Sequence, residues 1–162
     1  MMESLCGRCI CCSEENQRPK NGRYNMSCSL KFFFCVHCGN LAELVQNSGV
    51  PMVCCGEDML ELVPNTVDAS KEKHVPVVVN LDVCACGCAC GCALKVEVGS
   101  EPHPMTEEHH ISFIYVEAES GATRRCLKVG QEPSAEFCCC YDKPVAVYAY
   151  CNLHGLWKAD IA

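Results

Sequence analysis

Nineteen of the 162 residues are cysteine, and most of them stand in clusters. So many thiols have three ordinary meanings: a disulfide scaffold, metal sites, or low-complexity sequence. The start of the chain, Met1 to Cys6, lacks a charged stretch followed by an apolar core, so no signal peptide is expected. No apolar run approaches the roughly 18 residues of a membrane span. The expected compartment is therefore the cytoplasm, where clustered cysteines are metal ligands more often than bridges. The net charge of -7 leaves no basic stripe for nucleic acid. Hydrophobic residues make up 49% of the chain, a figure that the cysteines inflate.

The thiols divide the chain into regions. Residues 1–28 carry Cys6, Cys9, Cys11 and Cys12, then a polar run from Ser13 to Asn25, with no sustained period of 2 or 3.6. A disordered extension is expected there, with Met26 a natural alternative start; the other reading is an extra metal or redox site. Residues 29–62 form a compact unit: a short strand Leu30–Phe34, a Cys-x-x-Cys-Gly turn, the apolar run Leu41–Val45, a turn at Asn47-Ser48-Gly49, and Cys54-Cys55-Gly56. Residues 63–73 are polar and read as a linker. From residue 74 onward the pattern is short strands separated by turns: Val75–Val83, Leu94–Val98, Ile111–Glu119, Arg124–Val129, Ala135–Tyr141, Val145–Tyr150 and Leu156–Ile161. Seven strands at this spacing predict an all-β sandwich. One segment departs from the scheme. From Cys84 to Cys92 cysteine stands at every second position. A strand would put all five thiols on one face, where they could bind soft metals; the alternative is a low-complexity insertion at a hairpin tip.

Two constellations carry chemistry. The first is Cys35-x-x-Cys38 followed by the adjacent pair Cys54-Cys55. Four thiolates suit tetrahedral zinc or iron, and the spacing alone leaves both open. A unit of about 35 residues buries too little surface to fold unaided, so bound metal would supply much of its stability. His37, between two of these cysteines, reads as a surface residue. The second involves the histidines. Of six in the chain, five fall after residue 73: His74, then His103, His109 and His110, then His154 in Cys151-Asn-Leu-His-Gly. A lone histidine is usually a hydrogen-bonded or surface residue. A Cys-x-x-His turn with histidine clusters upstream is a better metal candidate.

Phe34-Cys35-Val36-His37-Cys38-Gly39-Asn40 with Val53-Cys54-Cys55-Gly56-Glu57-Asp58-Met59 resembles the first domain of the desulfoferrodoxins, the two-iron superoxide reductases. Glu72-Lys73-His74-Val75-Pro76, His103-Pro104-Met105 with a histidine six residues after His103, and Cys151-Asn-Leu-His-Gly-Leu-Trp-Lys-Ala resemble that family's catalytic domain. The resemblance runs from about residue 30 to the end. It lapses over residues 1–28 and around Cys84–Cys92, a segment longer than the hairpin usual there.

The resemblance implies a small desulforedoxin-like β domain followed by an immunoglobulin-like seven-stranded sandwich over residues 74–162. It implies two irons per chain, one held by Cys35, Cys38, Cys54 and Cys55, the other by His74, His103, His109, His154 and Cys151. His110 is left to packing or surface. The implied activity is one-electron reduction of superoxide to hydrogen peroxide. Lys73 would be a cation beside an open coordination position, and Glu72 a ligand arriving after product leaves. A homodimer and an electron donor such as rubredoxin are implied by the resemblance alone. The rival reading is a rubredoxin-like electron-transfer or metal-binding protein without turnover, or a structural zinc module; the four-histidine, one-cysteine set counts against both.

Overall fold

The computed structural model describes residues 30–81, 93–139 and 142–161. The N-terminal cysteines and the Cys84–Cys92 run lie outside the described residues.

Five short strands come first: β1 (Lys31–Phe34), β2 (Leu41–Leu44), β3 (Val53–Cys54), β4 (Glu57–Asp58) and β5 (Leu60–Leu62). They form a three-stranded sheet in the order β2-β1-β5 and a separate β3-β4 hairpin. A four-residue helix α1 (Lys71–His74) follows. Then come β6 (Pro76–Leu81), β7 (Ala93–Val98), β8 (Ile111–Ala118), β9 (Ala122–Cys126), β10 (Ser134–Cys138), β11 (Pro144–Cys151) and β12 (Gly155–Asp160). These seven correspond to the seven strands expected from the sequence. They make two antiparallel sheets, β10-β7-β6 and β12-β11-β8-β9, as expected of a sandwich.

The side-chain alternation of β8 and β11 explains how the layers stack. Successive residues of a strand point to opposite faces. Ile114 and Val116 of β8, with Val147 and Ala149 of β11, join Leu94, Val96, Val98 and Phe137 in an aliphatic core between the two sheets. The alternate residues Phe113, Tyr115, Ala146 and Tyr148 face the other way and enclose Phe32 of β1. The four-stranded sheet is thus a middle layer covered on both faces. Phe32 meets Tyr115 edge-on at 5.4 Å and Phe113 at 5.9 Å between ring centroids, aromatic contacts of the favourable tilted and edge-to-face kinds. At the rim the Tyr115 hydroxyl donates to Glu43 of β2 at 2.5 Å.

Segment 63–73, expected as a linker, is tied to the sandwich. Asn65 pairs with the backbone of β12 through both ends of its amide. Its Nδ2 donates to the Lys158 carbonyl at 3.1 Å, and the Lys158 N–H donates to its Oδ1 at 2.9 Å. The segment ends in α1, whose four residues the sequence reading did not mark as helical; a single turn carries no periodicity to detect. Among the described residues, no helix is long and apolar enough to cross a membrane.

Candidate metal centres

In the first unit, a knuckle and a hairpin bring four thiols together. Cys35 ends the run after β1, and its N–H donates to the Asn40 carbonyl at 2.8 Å, while the Gly39 N–H returns to the Cys35 carbonyl at 2.9 Å. Gly39 has φ +75°, a left-handed conformation that glycine adopts without penalty. Opposite, the turn between β3 and β4 has both central residues left-handed, Cys55 at φ +54° and Gly56 at +84°. Those angles belong to the tight two-residue hairpin whose twist matches its strands. It also lets two adjacent cysteines face one point. The four sulfurs lie within 4.8 Å of one another. His37 is not among them: its Nε2 meets the Glu57 carboxylate at 2.8 Å, linking knuckle to hairpin at the surface.

The acidities of these thiols fit a cation. Backbone N–H groups, that of Cys38 foremost, lower Cys35 to about 6. Hydrogen bonding with Cys38, Cys35 and Cys54 pushes Cys55 up to about 12. One thiolate forms readily, and its neighbours then resist a second negative charge. A metal ion removes that resistance by neutralising the sulfurs together.

The second centre collects donors from three places along the chain: His74 at the end of α1, His103 and His109 in the loop before β8, and Cys151 and His154 around the β11–β12 turn. Their ligand atoms fall within 4.8 Å of one another. The imidazoles form a closed square. Neighbouring rings stand 4.4 to 4.9 Å apart and 76 to 88° to each other, in the circuit His74–His103–His109–His154. His74 and His109 face across one diagonal at 6.0 Å. Cys151, fully buried, places its sulfur 3.6 Å from Nδ1 of His154.

The outer hydrogen bonds fix which nitrogen faces inward. His74 donates from Nδ1 to the Ser70 carbonyl at 2.6 Å, and His103 from Nδ1 to the Pro104 carbonyl at 2.6 Å. Each ring therefore presents a bare Nε2 to the centre, the arrangement typical of metal-bound histidine. Trp157 stacks on His74 at 4.8 Å and donates its indole N–H to the His154 carbonyl at 3.1 Å. Burial lowers His103 to about 4 and moves His74 and His109 in the same direction, which favours the neutral, metal-binding form of these three rings. Burial raises the Cys151 thiol, against which the backbone N–H groups of His154 and Leu153 act.

Two observations test whether a metal fits. The Nε2 atoms of His103 and His109 are buried with no hydrogen-bond partner among the described residues, although buried polar groups are almost always paired. In addition, Nε2 of His74 and Nδ1 of His154 approach to 2.9 Å, so two ring nitrogens converge on the same space. A cation at the centre of the square satisfies all of them. The nitrogen-rich set with one thiolate suits iron.

A β-bulge aims the thiol. Pairing between β8 and β11 shifts register between Tyr150 and Cys151, with Tyr150 opposite Phe113 but Cys151 opposite Ile111. Bulges of this kind re-aim a side chain beside a site.

Glu72 and Lys73 lie on α1 just before His74, outside the square. The Glu72 carboxylate accepts from the Ser70 hydroxyl at 2.8 Å, and its own backbone N–H together with that hydroxyl lowers its pKa. Lys73 lies 4.0 Å from Glu101, and both side chains are largely solvated. His110 stays out of the donor set, its Nδ1 directed at the Thr106 carbonyl at 3.1 Å.

Sequence reasoning passed over Gly99 and the role of Trp157. Gly99 has φ +85°, and a Cβ there would come within 2.4 Å of the Glu101 carbonyl and 2.7 Å of the Glu72 carbonyl. The Gly99 N–H donates to the Val75 carbonyl and the Glu101 N–H to that of Glu72, both at 3.1 Å. This close approach seats α1, and with it His74, on the turn after β7. The glycine itself was the available signal, at the end of the alternating run Leu94–Val98.

A family model described as Desulfoferrodoxin matches residues 66–160. The chain is 45% identical over 130 residues to the desulfoferrodoxin of Nitratidesulfovibrio vulgaris, a match covering 80% of this chain and 95% of that one. It is 36% identical over 119 residues to the superoxide reductase of Pyrococcus horikoshii, covering 64% of this chain and 97% of the other. Among solved structures, the superoxide reductase from Treponema pallidum superimposes with a TM-score of 0.64 at 34% identity, covering 80% of this chain and 98% of its own.

Proposed function

The chain belongs to the desulfoferrodoxin family, and on that premise we propose how its residues divide the work of a two-iron superoxide reductase. It reduces superoxide by one electron at the histidine–cysteine centre, an oxidoreductase that takes superoxide as acceptor. The observation that carries this reading is the square of four imidazoles with one buried thiol, in which two buried ring nitrogens have no partner among the described residues.

His74, His103, His109, His154 and Cys151 would hold the catalytic iron, and Cys35, Cys38, Cys54 and Cys55 the other. When bound, the catalytic iron supplies the electron that, with two protons, converts superoxide to hydrogen peroxide. The protein's own contribution begins with the charge of the approach. The chain is acidic overall, with net charge -7, so its distant field repels an anion. Lys73 offers a local positive charge beside His74 and draws superoxide in over the last few ångströms. Its ammonium also orders water for protonation of the product. Ser70 holds the Glu72 carboxylate aside through its hydroxyl. Glu72 is the group that would release Ser70 and close the open side of the site once product has left. Trp157 and the two backbone carbonyls on His74 and His103 keep the rings in place throughout. A rubredoxin-type donor would return the electron, and the protein would work as a homodimer in the cytoplasm.

The test is anaerobic iron quantitation followed by pulse-generated superoxide. Two irons per chain and second-order oxidation of the ferrous catalytic site are expected. A protein that binds only colourless metal, or whose ferrous site ignores superoxide, would sink the reading.

A further inference from the structure

Three of the catalytic donors sit on or beside two separate loops, and one side chain hydrogen-bonds from one loop to the other. Cys151 and His154 flank the β11–β12 turn, and His109 lies in the loop before β8. Between them stands Asn152. Its Oδ1 accepts the His110 N–H at 2.8 Å. Its Nδ2 donates to the Glu108 carbonyl at 2.8 Å. Its own backbone N–H donates to the His110 carbonyl at 3.1 Å. The residues immediately before and after His109 are thus both bonded to the residue immediately after Cys151.

The rest of the His109 loop is tied mostly to itself. The His109 N–H donates to the Thr106 hydroxyl at 3.1 Å, and the Thr106 N–H to the His109 carbonyl at 2.9 Å. Its flanks are set by Met105 and Ile111, which pack on the aliphatic core. Those contacts fix the shape of the loop. Ile111 also stands opposite Cys151 in the β8–β11 pairing, which brings the end of the loop to the thiol but does not hold residues 108–110, and with them His109, against the β11–β12 turn. The side chain of Asn152 does so by using one acceptor and one donor at once, on two separate atoms; an ionised carboxylate has no donor, and a hydroxyl would have to make both bonds from one oxygen.

We propose that Asn152 is a positioning residue of the catalytic centre, a two-point clamp that sets His109 against Cys151 and His154. The proposal rests on the reading of that centre as an iron site. Asn152 touches neither iron nor superoxide; it acts through the register of the two loops. Outer-sphere partners that orient metal ligands commonly contribute about tenfold or more to metal affinity.

The experiment uses the full chain and compares Asn152→Ala with wild type by three measurements: ferrous and cobaltous affinity of the histidine–cysteine centre against a chelator, the absorption of the ferric centre, and thermal unfolding of the metal-free protein. Absorption of the four-cysteine iron serves as an internal check on folding. Expected are an affinity about tenfold weaker, a displaced thiolate-to-iron absorption band, an unfolding midpoint of the metal-free protein close to wild type, and an unchanged four-cysteine spectrum. Wild-type affinity and spectrum in the variant would overturn the proposal. So would a metal-free variant that unfolds much earlier, or one that does not fold, because Asn152 would then be a residue of the fold and not of the centre. A wild-type protein that holds no metal at the histidine–cysteine centre would instead sink the reading of the site, a result distinguishable from failure of the clamp.

Discussion

The four-thiol site takes its donors from residues 35 to 55, whereas the histidine–cysteine site gathers donors spread from residue 74 to residue 154. The first is assembled by two tight turns in a unit of short strands, with Cys38 and Cys55 exposed and only Cys35 buried. The second sits at one end of a sandwich with a continuous aliphatic core, and its thiol is fully buried. A local site of the first kind depends on its metal for much of its order. A site of the second kind is held in shape before metal arrives, because burial elsewhere in the sandwich stabilises the fold. The orphaned nitrogens of His103 and His109 show that shape: they are buried, with no hydrogen-bond partner among the described residues.

Replacing Cys151 by Ala is the strongest way to break the contrast, because it should remove the catalytic iron and the superoxide reaction outright. The four-cysteine absorption should survive. Iron quantitation and spectra of the variant decide this, and loss of both signals together would mean that the two sites are not independent.

Gly99→Ala tests the scaffold without touching a donor. The new Cβ would be driven against backbone carbonyls in a left-handed conformation, a strain of about 2–3 kcal/mol. The chain should relieve it by lifting α1, so catalytic-site affinity should fall along with the unfolding temperature. A variant with wild-type stability and affinity would show that α1 is not seated by this turn.

Charge steering should have a smaller effect. Lys73→Ala should slow second-order oxidation of the ferrous site by about tenfold at low salt, and the difference should shrink as salt is added, since screening acts over about 8 Å at physiological ionic strength. Lys73→Arg should keep most of the rate. Removing the counter-charge with Glu101→Gln should move the rate the other way, by less, because an exposed pair 4.0 Å apart couples weakly. Pulsed superoxide across a salt series measures all three, and an unchanged rate in Lys73→Ala at low salt would return Lys73 to a surface role.

Least of all should Cys54→Ser alter turnover. It should bleach the four-thiol site, loosen the β3–β4 hairpin, and leave the superoxide rate at its wild-type value. A slowed catalytic step would show that the two regions communicate, through Phe32 and the aromatic face of the middle sheet.

Local chemistry made much of this legible. Strand alternation in Ile111–Ala118 and Pro144–Cys151, the Cys-x-x-Cys-Gly knuckle and the Cys-Cys-Gly turn are written in neighbouring residues, because backbone geometry over a few positions decides them. Resemblance to a family supplied the histidine set, which spacing alone left open. What neighbouring residues do not encode is the meeting of distant segments. No pattern around Phe32 indicates that it packs beneath Tyr115 and Tyr148, no feature of Asn65 announces that it grips Lys158, and nothing near Gly99 reveals that α1 must lie against it. The amino-acid sequence by itself determined the strands, the turns and the inventory of donors. Tertiary structure alone decided that four imidazoles from three places form one square over one thiol, because that geometry depends on how two sheets, a single helical turn and two loops pack, and packing is a property of contacts between residues far apart in the chain.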